Sequence, residues 1–230
     1  MHLQTGKVPN ELMERFFRSL STKDEAVIIG PGIGEDVAAL DVRGEEVVVL
    51  KSDPITFTAD NIAEYAVLVN ANDIATSGAN PRWMLATLLL PPRVETETVE
   101  ELLAELHRVC SRYDITLCGG HTEVTEAVVQ PVVCGTLAGT VGRDELVEKS
   151  RAAPGDNLLI TKGIAVEGTA ILAHDLSDRL LRAGIPEQIL EKGRQFINDI
   201  AILKEAELAA NTGMVTAMHD VTEGGFATAV

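Results

Sequence analysis

Residues 69–83 read VNANDIATSGANPRW, a stretch that ends one element and begins the next. Read backwards from it, Ala63 to Ser77 predicts a helix, and Gly78 stands where a helix stops in left-handed backbone. Read forwards, Trp83 to Leu90 is a continuous apolar run that predicts a buried strand. Upstream, Val27-Ile28-Ile29 reads as a short strand entering the glycine-rich loop Gly30-Pro31-Gly32-Ile33-Gly34, which Glu35-Asp36 closes. Val37 to Asp41 then forms a strand that Val42-Arg43-Gly44 turns back as Glu45 to Lys51, a hairpin. Before all of these, Asn10 caps an expected helix carrying Leu12, Met13, Phe16, Phe17 and Leu20 at helical spacing.

Downstream, Thr96 to Tyr113 is an amphipathic helix with acids early and bases late, as the helix dipole favours. Ile115 to Cys118 reads as a strand leading into Gly119-Gly120, and Val128 to Val141 as a long strand broken near Pro131. The turn-rich SRAAPGD at 150–156 divides the chain near residue 152, into domains 1–152 and 153–230. The second is expected to hold strands at Asn157–Lys162 and Val215–Met218. Its expected helices run over Val166–Leu176, a short following segment, and Pro186 to about Ala210. Strands and helices mix without a βαβ rhythm, so the fold class is α+β rather than a doubly wound sheet. The closing GGFATAV at 224–230 reads as the first turn of an apolar helix, so the second domain is expected to be truncated.

Composition narrows the function. The 230 residues carry 35 acids against 19 bases, a net charge of −16, with 46% hydrophobic and 23% charged residues. Those proportions are globular, and the acidity excludes nucleic acid and an anionic membrane surface as partners. Cys110, Cys118 and Cys134 match no zinc or disulfide pattern. The N-terminal MHLQTGKVPNELMERFF lacks the apolar h-region of a secretory signal, and the longest apolar run, Trp83 to Pro92, is too short to span a bilayer. A cytoplasmic protein is expected.

No P-loop, HExxH or GxSxG occurs, Glu35 spoils GxGxxG, and no PCxxC follows His121-Thr122-Glu123. What recurs is a carboxylate at an element boundary beside Gly, Ser, Thr or Asn: Asp36, Asp53, Asp73, Glu123 and Asp220. Taken singly, an Asp beside Gly is a turn residue. Taken together, such acids suit hard Mg²⁺ bridging phosphate oxygens. Cys110 and Cys118 are expected to pack, His107 and His174 to be solvated, and His219 to be structural. Lys51, Lys162 and Arg82 are surface cations unless they offset phosphate charge.

Five blocks in order, GIGEDVAAL, KSDPITF, VNANDIATSGANPRW, LCGGHTEVT and MHDVTEGGFA, resemble the AIR synthetase-related superfamily. Its members include AIR synthetase, the hydrogenase maturation dehydratase, selenophosphate synthetase and thiamine-monophosphate kinase. The MHDxTEGG block is most similar to the maturation type. The resemblance implies an N-terminal domain whose strands build a dimeric β-barrel, with ATP and Mg²⁺ in a cleft. It makes Asp36, Asp53 and Asp73 ligands of metal and phosphate, with Asn72 a helper, Gly32 and Gly34 a loop over the phosphates, and Asp220 a metal ligand. Gly120 and Thr122 join the nucleotide site. Most of that branch has Asp where this chain has His121, so the metal role there passes to Glu123 or is absent. No catalytic residue is assigned. The implied enzyme activates an amide- or carbonyl-like oxygen by phosphoryl transfer, in the maturation branch dehydrating a thiocarboxamide to a thiocyanate. Its partners would be a second copy and a carbamoyl-transferring or metal-centre maturation protein. The alternatives are a small-molecule kinase or a non-catalytic nucleotide-binding module.

Overall fold

The computed structural model describes Asn10, Glu14, and residues 27–29, 32–35, 37–222 and 224–230. Most of the expected first helix, and Asp36 with it, lie outside the described residues. Six strands form one mixed sheet in the order β1-β2-β3-β6-β4-β5. They are β1 Val27–Ile29, β2 Ala38–Asp41, β3 Glu46–Ile55, β4 Asn80–Leu90, β5 Thr116–Val124 and β6 Val132–Gly142. Neighbours are antiparallel except β4 and β5, whose parallel pairing needs a crossover. Helix α2, Thr96–Arg112, makes that crossover.

Helix α1, Ile62–Thr76, lies against β3, β6 and β4, and α2 packs on α1 and β5. Side chains alternate across a strand, and the residues facing α1 are the apolar ones. Val47, Val49 and Ile55 of β3, Val133 and Leu137 of β6, and Met84 and Leu88 of β4 are all buried there. Two glycines let α1 sit close. A methyl group on Gly135 would stand 2.6 Å from Asn70 Nδ2, and one on Gly139 would stand 2.6 Å from Ile74 Cγ2. The opposite sheet face is open in one chain: Trp83 and Leu85 are 38% and 50% exposed on it. The sheet does not close on itself.

Helices α3 Val166–Asp175, α4 Ser177–Arg182, α5 Glu187–Gln195 and α6 Leu203–Ala210 follow. The layout is α+β, as the sequence predicts, with three differences of detail. Residues 157–162 and 215–218 are not strands, because no neighbouring strand among the described residues offers them ladder bonds. The expected long helix from Pro186 breaks at 196–202, first into a 3₁₀ turn at Phe196–Asp199. Strand β5 runs through Gly119-Gly120 instead of ending there. Among the described residues no helix is long and apolar enough to cross a membrane.

Gly120 explains the last difference. It pairs with Ala86 at φ +149°, and a Cβ there would lie 1.8 Å from the Ala86 carbonyl oxygen. Backbone cannot yield that much, so Gly120→Ala is expected to destabilise the chain by about 2–3 kcal/mol or more. Urea unfolding measures this. An unchanged midpoint would show that β4 and β5 do not approach so closely.

Candidate functional site

The site begins on β3. β2 pairs with β3 only over Val47 to Leu50, so beyond Leu50 the outer edge of β3 needs another partner. Asn70 on α1 supplies one, accepting from Asp53 N at 2.9 Å and donating to Asp53 O at 3.4 Å. Its amide stands in for a neighbouring strand and fixes the β3 backbone beside α1.

Lys51 and Asp53 point to the α1 face, where Asp73 waits one turn after Asn70. Lys51 Nζ lies 2.7 Å from Asp73 Oδ2 and 3.1 Å from Asp53 Oδ2. The Lys51 and Asp73 side chains are only 14% and 6% exposed. Burial works to lower the Lys51 pKa, but Asp73 first and Asp53 after it outweigh that and push it upward. The ammonium is therefore held charged between two carboxylates.

A second lysine gathers the other segments. Lys149 Nζ donates to Gly34 O at 3.2 Å and to His219 Nδ1 at 2.9 Å. His219 Nδ1 in turn lies 3.6 Å from the buried Asp220 Oδ1. In the glycine loop, Glu35 N donates to Gly32 O at 3.3 Å, and Gly34 adopts φ +84°. Glu35, Lys149, Thr76 and Ser77 line one crevice, so the loop and the last turn of α1 face each other. Asp73 lies three residues before Thr76, whose hydroxyl donates to Asp73 O at 2.8 Å.

The described acids do not fit a resident metal ion. Among the described residues no three His, Cys, Asp or Glu side chains are placed to hold one. Lys51 already fills the space between Asp53 and Asp73.

The sequence profile of the AIR synthase related protein N-terminal domain matches residues 34–141, and that of its C-terminal domain matches 153–230. The chain belongs to the AIR synthase related family. It is 27% identical over 241 residues to a hydrogenase expression/formation protein of Methanocaldococcus jannaschii, covering 100% of this chain and 67% of that one. It is 25% identical over 233 residues to the carbamoyl dehydratase HypE of Rhodobacter capsulatus, covering 98% and 64%. The crystal structure of thiamine monophosphate kinase from Aquifex aeolicus shares the fold at a TM-score of 0.63 and 19% identity, over 87% of this chain and 63% of that one. The chain thus spans about two thirds of the length of these relatives.

Within this AIR synthase related frame the expected residues fall into separate places. Asp53 and Asp73 meet at Lys51, while Gly34 and Asp220 lie around Lys149. Asp36 is outside the described residues. Asn72 is not turned to that site: its Nδ2 donates to Ile200 O at 2.9 Å, and its Oδ1 accepts from Ile202 N at 3.0 Å. Those two bonds hold the break in the expected long helix. Gly120, Thr122 and Glu123 lie on β5, three strand spacings or about 14 Å from β3. Glu123 pairs with Leu89 and His121 with Thr87, on the open face away from α1. His121 Nε2 and Glu123 Oε2 are 3.2 Å apart there. Sequence reading passed over Lys149, since one lysine in a turn-rich seam carries no pattern. Lys51 is no surface cation.

Asn72→Ala would strand Ile200 O and Ile202 N in a buried setting, at a cost of about 1–3 kcal/mol. The expected result is a lower melting temperature and faster proteolytic cleavage near residues 196–202. Cleavage no faster than in the unaltered chain would show that Asn72 does not hold this segment.

Proposed function

We propose that this chain carries the nucleotide site of an ATP-dependent enzyme that activates an amide- or carbonyl-like oxygen by phosphoryl transfer, of the hydrogenase maturation type. The observation that carries the reading is the meeting of three distant segments at the end of α1. The Asp53–Asp73 pair closes on Lys51, and the glycine loop and the His219-Asp220 segment on Lys149, which lines a crevice with Thr76 and Ser77 in the next turn of α1. Phosphate oxygens need close backbone approach and cations to offset their charge: the glycine loop offers the first, and Lys51 and Lys149 offset part of the surrounding carboxylate charge, the rest falling to Mg²⁺. The cation enters with its nucleotide, as Mg·ATP. Phosphoryl transfer asks mainly for positioning and charge stabilisation; side chains fixed on α1 and β3 would supply the positioning, and the lysines with Mg²⁺ the charge stabilisation. The relatives named as a hydrogenase expression/formation protein and as a carbamoyl dehydratase support this reading, while relatives named thiamine-monophosphate kinase and selenide, water dikinase share the ATP-dependent phosphoryl transfer but not the acceptor.

Asp36, Asp53, Asp73 and Asp220 surround the phosphates in this reading, with Gly32 and Gly34 above them. Gly120, Thr122 and Glu123 are too far across the sheet to join them within one chain. Glu123, on the open sheet face, would reach a nucleotide only across a homodimer whose copies close a barrel over that face. A carbamoyl-transferring protein is the expected further partner.

Asp73→Asn is nearly isosteric and removes one charge. It is expected to weaken Mg·ATP binding more than tenfold, about 1.4 kcal/mol, while the exposed Glu97→Gln changes nothing. Calorimetric titration with and without EDTA measures both. Equal affinities for the two variants, or ATP binding indifferent to EDTA, would remove the basis for this site. Light scattering should find a dimer, and Leu85→Glu on the open face a monomer. A monomeric unaltered chain would overturn the barrel.

A further inference from the structure

Lys51 stands in a row of β3 that is otherwise apolar or acidic. Val47, Val49 and Ile55, its companions on the α1 face, are fully buried. A lysine is tolerated in such a row only when its charge is matched, and here it is matched twice. Two carboxylate oxygens at contact distance, on two rigid elements, are the donors a hard divalent cation would take. The ammonium occupies the space between them, and a metal ion could enter only by displacing it. A divalent ion there would also stand against the ammonium's own charge.

We propose that the Lys51 ammonium is the built-in cation of the Asp53–Asp73 carboxylate pair. It fills with a side chain the place that the family resemblance gives to a metal ion, and it offsets part of the carboxylate charge that a phosphate would meet there. The phosphate role rests on the nucleotide reading above, whereas the occupancy of the pair does not. Asp73 is then a positioning residue that aims Lys51. Its neighbour Asn70 fixes the backbone from which Asp53 does the same.

The test uses Mn²⁺ alone, without nucleotide, and counts bound ions by electron paramagnetic resonance on the whole chain. In the unaltered protein, adding Asp73→Asn should change Mn²⁺ affinity by less than twofold, because no ion sits on that pair. Lys51→Met should create a site at least tenfold tighter than any in the unaltered protein, and Asp73→Asn added to it should abolish that site. Lys51→Arg keeps a cation in place and should create none. A tenfold loss of Mn²⁺ affinity from Asp73→Asn in the unaltered background would overturn the proposal. So would a folded Lys51→Met protein that gains no site. Should Lys51→Met not fold, the comparison of the unaltered chain with Asp73→Asn decides alone. A chain that fails to bind Mg·ATP would sink the nucleotide reading and leave these Mn²⁺ outcomes untouched.

Discussion

One turn of α1, from Asn70 to Asp73, holds the rest of the molecule in register. Its three polar side chains leave the helix in different directions, and each finds a partner that no other element offers. Asn70 completes the edge of β3, Asn72 catches the backbone at Ile200 and Ile202, and Asp73 takes Lys51. Buried polar groups are expensive when unmatched, so each bond fixes a geometry as well as adding stability. The sheet glycines Gly135 and Gly139 are what let this turn come close enough to make them.

The same turn gathers lysines in an acidic protein, each of them matched by acceptors. The carbonyl end of a helix attracts cations, and α1 ends at Thr76 with no basic residue of its own. Lys51 arrives beside it from β3, and Lys149 from the segment after β6. Both are held by acceptors before any ligand comes.

Much of this was legible as pattern. Alternation marked the β2–β3 hairpin, apolar spacing marked α2, and Gly78 at φ +79° marked the end of α1. Asp53 and Asp73 were legible as a pair of acids in motifs. What could not be read was direction. Asn72 and Asp73 are adjacent in sequence, yet one faces the Ile200 segment and the other the cleft, a difference of about 100° around the helix. Glu123 and Asp53 share a motif grammar, but strand order and pleat put them on different faces. The strands expected near 157–162 and 215–218 failed for another reason: apolar alternation describes a residue's taste for a sheet and cannot supply a neighbour. The long helix after Pro186 was interrupted by hydrogen bonds from Asn72, more than 120 residues away in sequence.

Every residue of α1 except Val69 is buried, so the helix has no solvent face. α2, by contrast, hides Leu102, Leu106, Val109 and Cys110 along one stripe, with Val99 and Glu105 half-buried, and leaves the rest in water. The two helices should therefore tolerate substitution differently. Along α2, drift is free at most positions and the stripe alone is held, giving a tolerance profile with the period of a helix turn. Along α1 there is no free side on which drift can accumulate. Its profile would be a flat band of intolerance with a single gap at Val69, and a change at one position would need a matching change in whichever distant segment touches it.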